Sequence, residues 1–236
     1  MTAKDDTNAL LQKILTRLDD LERGQELLYE QLEALLNLLT MLGALNAPMP
    51  PMRKWSIAPD FGLLLYSLLN EYQPANVLEL GGGVSTLITG YFFSQIETEG
   101  RITAIDHQSF FAEQARKQIE LHQMIDVATV IHAPLTDVTI HDTTYQWYDP
   151  TEFDLIQSID FLTIDGPPQQ DNPQPMVRYP AMPILFHRLN SGAIILMDDT
   201  HRQDETQIVQ RWLDEFDLVK LGDVDNEKGA IILQKE

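Results

Sequence analysis

From residue 11 the apolar positions recur at alternating steps of three and four: Leu11, Ile14, Leu18, Leu21, Leu28, Leu32, Leu35, Leu39 and Leu42, with Gln25 the one polar seat in the series. Asp19, Asp20, Arg23, Glu26, Glu30 and Glu33 fall on the outer faces. A sustained seven-residue repeat of this kind is the pattern of a coiled coil, in which a polar seat fixes register at some cost in stability. Leu15, Leu36 and Leu38 widen the stripe beyond the strict seam, so the later half can also pack on a second neighbour. The pattern predicts an N-terminal coiled-coil helix over residues 1–45 that joins copies of the chain. The competing reading is an amphipathic helix lying on its own domain. Pro48, Pro50 and Pro51 then end any helix, because proline removes a backbone donor and favours stiff, extended chain. Residues 46–54 read as a linker and 55–236 as the second domain.

Beyond the linker the pattern changes. Pro59 suits a first helical position, and Phe61, Leu64, Leu65, Leu68 and Leu69 give residues 60–72 a helical stripe. Residues 77–80 are a short apolar strand, 85–97 a helix, 101–106 a strand, 110–123 a helix and 127–131 a strand. That alternation predicts a parallel sheet with helices on both faces. Residues 137–154 alternate only in part, as a hairpin insertion or an irregular loop. A strand at 159–164, a polar loop at 169–175, a helix at 180–189, a strand ending in Asp198-Asp199 and a helix at 206–216 follow. Residues 218–221 and 230–233 pair as a closing antiparallel hairpin.

Acids stand at or near the carboxyl ends of these strands: Glu79 beside the run Gly81-Gly82-Gly83, then Asp106, Asp165, and Asp198 with Asp199. A glycine run alone is either a plain turn or a place where a ligand approaches the backbone. Several acids on the edge where open α/β sheets bind ligands point to a site.

Glu79-Leu80-Gly81-Gly82-Gly83, Asp106 closing the second strand and the terminal hairpin together resemble class I S-adenosylmethionine-dependent methyltransferases, from about Trp55 to the end of the chain. More narrowly, Asp165-Gly166-Pro167-Pro168, Arg178-Tyr179-Pro180-Ala181 and Met197-Asp198-Asp199-Thr200 resemble a bacterial subgroup near the macrolide-sugar O-methyltransferases. The resemblance implies an α/β fold with a Rossmann-like, doubly wound, seven-stranded sheet and a C-terminal antiparallel hairpin. It implies S-adenosylmethionine as cofactor, held by Gly81, Gly82, Gly83 and Ser85, with Glu79 near its polar tail and Asp106 on its ribose hydroxyls. His107, Pro134 and Leu135 are adenine neighbours in this reading, and Asp165 closes the site. Ser85 stands where the family often has a third glycine. Asp106 as a plain helix cap is the bland alternative.

The acceptor, a sugar or other small hydroxylated molecule, must lose a proton, and the resemblance offers two devices. Asp165, Asp198 and Asp199 can hold a divalent cation such as Mg²⁺, or His201 and Asp165 can act in proton transfer. Pro168 replaces a lysine carried by some metal-dependent relatives. Two other readings compete. One is a nicotinamide-dependent Rossmann oxidoreductase, although Thr86 stands where glycine or alanine is wanted. The other is a cofactor-binding coiled-coil scaffold without turnover.

Charge narrows the partners. With 36 acidic against 16 basic residues the net charge is −20, which repels phosphate backbones and anionic lipid, so neither nucleic acid nor membrane is expected. There is no cysteine, hence no disulfide framework and no thiolate chemistry. No basic stretch followed by an apolar run opens the sequence, and the expectation is a cytoplasmic protein.

Overall fold

A computed structural model describes residues 3–96, 99–169 and 174–236. The heptad stretch forms one unbroken helix, α1 (Ala3–Leu42), 40 residues long. Its two parts have different surroundings. Leu11, Ile14, Leu18, Leu21, Leu28 and Leu32 are exposed, whereas Ala34, Leu38 and Leu42 are buried beside α2 (Pro59–Tyr72). The predicted seam is therefore corrected at its end. Leu42 belongs to the chain's own core, and Leu35 and Leu39 are half-buried. Leu38, one of the residues that widened the stripe, is what anchors the helix. Gln31 ties the junction, donating from Nε2 to Asp60 Oδ2 (2.6 Å) and accepting the Asp60 N–H (3.2 Å).

The helix stops at Gly43, whose φ of +67° suits a left-handed cap. The proline segment that follows is held down. The Asn46 N–H donates to Tyr91 Oη (2.9 Å) and its Nδ2 to the His122 carbonyl (2.8 Å).

The sheet contains β1 (Asn76–Leu80), β2 (Arg101–Asp106), β3 (Ala128–His132), β6 (Ile159–Ile164), β7 (Leu189–Asp198), β8 (Leu218–Val224) and β9 (Ala230–Lys235), in the order β3-β2-β1-β6-β7-β9-β8. Its first five members run parallel, and β9 pairs antiparallel with both β7 and β8. The chain thus passes from β7 to the edge strand β8 before β9 fills the gap. Helices α3 (Val84–Gln95), α4 (Ser109–Leu121), α5 (Ala181–Leu185) and α6 (Gln203–Glu215) connect the strands. Val77 points into one buried cluster with α2 and α3, while Leu78 and Leu80 point into another with α6. Both faces are covered, which is why Val77, Leu78 and Leu80 are all apolar without alternation.

Residues 137–154 resolve as a hairpin, β4 (Leu135–Ile140) with β5 (Thr143–Tyr148), standing as a separate two-stranded sheet. The helix expected over 180–189 is shorter. Pro183 lies inside α5, a 3₁₀ turn (Phe186–Arg188) follows, and β7 already begins at Leu189. Glu97, the expected end of α3, and residues 170–173 of the expected polar loop lie outside the described residues.

Candidate active site

The turn between β1 and α3 has one position that only glycine can fill. Gly81 sits at φ +98°, and a Cβ there would stand 3.1 Å from the Gly166 nitrogen and 3.2 Å from the Asp165 carbonyl carbon. Gly83 is different, since among the described residues nothing beyond its chain neighbours lies within 4 Å of where its Cβ would be. The open space is a cavity. The Gly83 N–H donates to Thr86 Oγ1 (3.0 Å), which in turn donates to Glu79 Oε2. Glu79 is thus 1% exposed beneath the turn and is absent from the cavity wall. It acts on the site through the loop that it braces. Burial pushes its carboxyl up to about 7, against the opposing pull of the Ser85 and Thr86 hydroxyls.

The cavity measures about 610 Å³ and brings together Gly81, Gly82, Gly83, Ser85, Asp106, His107 and Asp165. Asp106 Oδ1 accepts the Gln108 N–H (2.7 Å), whereas α4 begins at Ser109 with no side-chain cap. Asp106 therefore shapes the turn into α4 and still faces the cavity, and burial raises its carboxyl above the usual range. Tyr148 closes the inner wall, and its buried hydroxyl has no partner among the described residues.

Pro134 and Leu135 are not on this wall; Phe111, Gln114 and Gln118 of α4 are. Pro50, Pro51, Trp55, Ser56 and Ile57 form another side. The proline segment, read from sequence as a spacer, is a cavity wall. Its composition gave stiffness but no signal of where it lies.

Asp165, Asp198 and Asp199 converge at the carboxyl ends of β6 and β7, each offering an oxygen within 4.8 Å of the others. Arg178, 1% exposed, runs into the same cluster. Its Nη2 donates to the Asp165 carbonyl (2.8 Å), to Asp165 Oδ1 (3.3 Å) and to Asp199 Oδ2 (2.8 Å), while Nη1 donates to the Asp198 carbonyl (3.1 Å). Its Nε lies 3.9 Å from Glu205 Oε1. Arg202 Nη1 reaches Asp199 Oδ2 (2.8 Å), and Lys228 Nζ stands 3.6 Å from Asp198 Oδ2. Four carboxylates thus face three cations. Both oxygens of the fully buried Asp198 lack a hydrogen-bond partner among the described residues. Burial and the adjacent Asp199 charge lift its carboxyl to about 6, and burial with the Asp198 charge lifts Asp165 well above the usual range. Asp199 adopts φ 65°, an unusual conformation for a residue other than glycine. Arg178 gave no sign in sequence of whether it served this cluster or a ligand. Lys228 and Glu205 gave no signal at all, Lys228 because it arrives from the turn before β9 and Glu205 because it reads as an ordinary acid in the first turn of α6.

His201 is set apart. It lines neither this cavity nor the smaller one beside it, its Nε2 faces Asp225 Oδ1 (3.3 Å), and its side chain is 54% exposed. A Cβ on Gly229 would stand 2.5 Å from its Cδ2, so the imidazole packs on the turn between β8 and β9.

A glycine turn at the end of β1, an acid at the end of β2 and a polar cluster at the ends of β6 and β7 define an α/β transferase site on the sheet's switch-point edge. A family model described as a methyltransferase domain matches residues 78–200, just over half of the chain, and the chain belongs to that family. Its fold is similar to that of the O-methyltransferase from Bacillus cereus in complex with SAH, at 17% identity and TM-score 0.58, covering 86% of this chain and 91% of that one. It is also similar to the SAH-bound methyltransferase PaMTH1 from Podospora anserina, at 13% identity and TM-score 0.60, with 77% and 80% covered. The TomG O-methyltransferase from Streptomyces achromogenes, crystallised with SAM, has 14% identity and TM-score 0.55, with 77% and 82% covered. At such identities the likeness is one of fold. No curated protein matches the sequence. Among the described residues no helix is long and apolar enough to cross a membrane.

Proposed function

We propose that the protein transfers a methyl group from S-adenosylmethionine to a hydroxyl of a sugar or other small molecule. The observation that carries this reading is the cavity itself, in which an open glycine turn, a strand-end acid and Asp165 share one wall. The open backbone at Gly83 suits close approach of a ribose and amino-acid tail, and Asp106 offers a carboxylate oxygen to ribose hydroxyls. Ser85 and His107 complete the polar and aromatic lining in this reading. When bound, the cofactor supplies an electrophilic methyl on a sulfonium centre.

The acceptor hydroxyl must give up its proton, and in this reading Asp165 takes it. A carboxyl raised well above its usual range is a stronger base than an exposed aspartate. The carboxylate trio also fits a hard divalent cation in donor type, and the Asp198 oxygens, without a hydrogen bond among the described residues, support that fit. Asp165, Asp198 and Asp199 would hold it, and an ion of the Mg²⁺ kind would supply positive charge that lowers a hydroxyl's pKa. Arg178 and Arg202 already spread positive charge over Asp165 and Asp199.

Calorimetry with S-adenosylmethionine, S-adenosylhomocysteine and NAD tests the cofactor, and binding of NAD alone refutes it. Turnover on hydroxylated acceptors, before and after chelation and Mg²⁺ addition, separates the two proton devices. Activity untouched by chelation leaves Asp165 as the proton acceptor.

We also propose that the chain divides into a self-association helix (1–45), a linker (46–54) and a transferase domain (55–236). The exposed stripe from Leu11 to Leu32 supports pairing with a second copy, since so many bare leucines on one helix need cover. Light scattering on the variant with both Leu21→Asp and Leu28→Asp is expected to show a smaller particle. An unchanged mass overturns the pairing.

A further inference from the structure

Beside the donor cavity lies a second pocket of about 240 Å³, and the two share Trp55, Asp165 and Pro168. Its other walls are Lys54, Gln169, Arg178, Asp199, Arg202 and Lys228. Among the described residues four in the lining are cationic and two are acidic, in a chain that carries −20 and only 16 Lys+Arg. The cations are unequal. Arg178 is buried and committed to Asp165 and Asp199, and Lys228 donates to the Ser56 carbonyl (3.2 Å) near Asp198. Arg202 gives Nη1 to Asp199 yet keeps a side chain 46% exposed. Lys54 is exposed and has no carboxylate within ion-pair distance among the described residues. Trp55, on the shared border, is 67% exposed, a large aromatic face left open where the two pockets meet.

We propose that this pocket takes an acceptor carrying an anionic group, a carboxylate or a phosphate, close to the hydroxyl that is methylated. The anion docks on Lys54 and Arg202 while the acceptor's ring lies on Trp55. The assignment rests on the methyltransferase reading for the direction of the hydroxyl, which faces Asp165 on the shared border. The anion site itself rests only on the charges. Cations with spare donors bind anions through charge-assisted hydrogen bonds. The committed pairs inside hold the floor rigid, and the two outer cations remain available.

Trp55 makes the test direct, because Trp147 and Trp212 are both 0% exposed and collisional quenching of tryptophan fluorescence reports on Trp55 alone. With each ion's quenching constant divided by its value for free N-acetyltryptophanamide at the same ionic strength, iodide is expected to quench it about twofold more efficiently than caesium despite the acidic chain, and Lys54→Ala and Arg202→Gln are each expected to erase that preference. This arm needs no cofactor, so it stands or fails separately from the donor reading. In the second arm, with S-adenosylhomocysteine present and acrylamide as neutral quencher, D-glucuronate, D-glucose 6-phosphate and D-glucose compete to shield Trp55. Shielding by glucuronate alone identifies a carboxylate, and by the sugar phosphate alone a phosphate. Lys54→Ala is expected to lose that shielding. A caesium preference in the parent protein, equal shielding by glucose, or no shielding by either anion overturns the proposal.

Discussion

The two walls that meet at Asp165 are made of different material. On the donor side the wall beside Asp165 is the glycine turn, with Gly81 pressed against Asp165 and Gly166 and with Gly83 left open. The other side is a knot of side-chain charge, with Arg178, Arg202 and Lys228 set among Asp165, Asp198, Asp199 and Glu205. A wall of backbone fails by steric intrusion. A wall of buried charge fails when compensation is lost.

The largest effect is expected from Arg178→Met. Removing one partner of a buried ion cluster leaves carboxylates uncompensated and costs about 3–5 kcal/mol, read from urea unfolding. A loss under about 1 kcal/mol would mean that the acids discharge by protonation instead.

Next comes Glu79, whose folded-state value of about 7 lies above its ordinary 4.5. Between those two pH values the folded chain holds a proton that the unfolded chain has released. The associated stability is full below the window and lost as pH rises through it, a change of about 3 kcal/mol. Glu79→Gln is expected to reduce the slope of unfolding free energy between pH 5 and pH 8, leaving the part that the raised Asp198, Asp165 and Asp106 carboxyls contribute. An unchanged slope contradicts the buried carboxyl.

Gly81→Ala follows, at about 1–3 kcal/mol, because the left-handed backbone and the contact with Gly166 act together. Gly83→Ala, facing open space, is the control that should instead weaken cofactor binding with little change in stability. If the two variants behave alike, the contrast between a braced and an open glycine is wrong.

The smallest effect is expected from His201→Ala. With its imidazole turned to Asp225 and outside both cavities, kcat should fall by less than about threefold, where loss of a general base costs roughly 10²–10⁴.

These two walls were also unequally legible in the sequence. Strand ends and the glycine turn follow local rules, so β2 was bounded at Asp106 and the turn placed at Gly81 from apolar runs and φ preference alone. Asp165, Asp198 and Asp199 could be grouped because parallel strands bring their carboxyl ends to one edge. What binds them together could not be read. Lys228 reaches the cluster from the turn before β9, a separation that leaves no periodic trace, and Glu205 reads only as an acid in the first turn of α6. His201 shows the reverse case, a chemically apt residue at the right spacing that the β8–β9 turn draws aside. The heptad was legible as a helix, but a stripe of leucines does not say which of them meet the chain's own α2. Leu38 and Leu42 do.

The proline segment carries a consequence for proteolysis. Pro50 and Pro51 wall the donor cavity, while Asn46 is tied to Tyr91 and His122 and Gln31 to Asp60. A nick between 46 and 57 therefore cuts the wall of the pocket as well as freeing an arm. Trimming the arm safely means cutting ahead of Gln31. Protection of this segment from protease by a bound cofactor becomes a reading of occupancy that needs no acceptor at all.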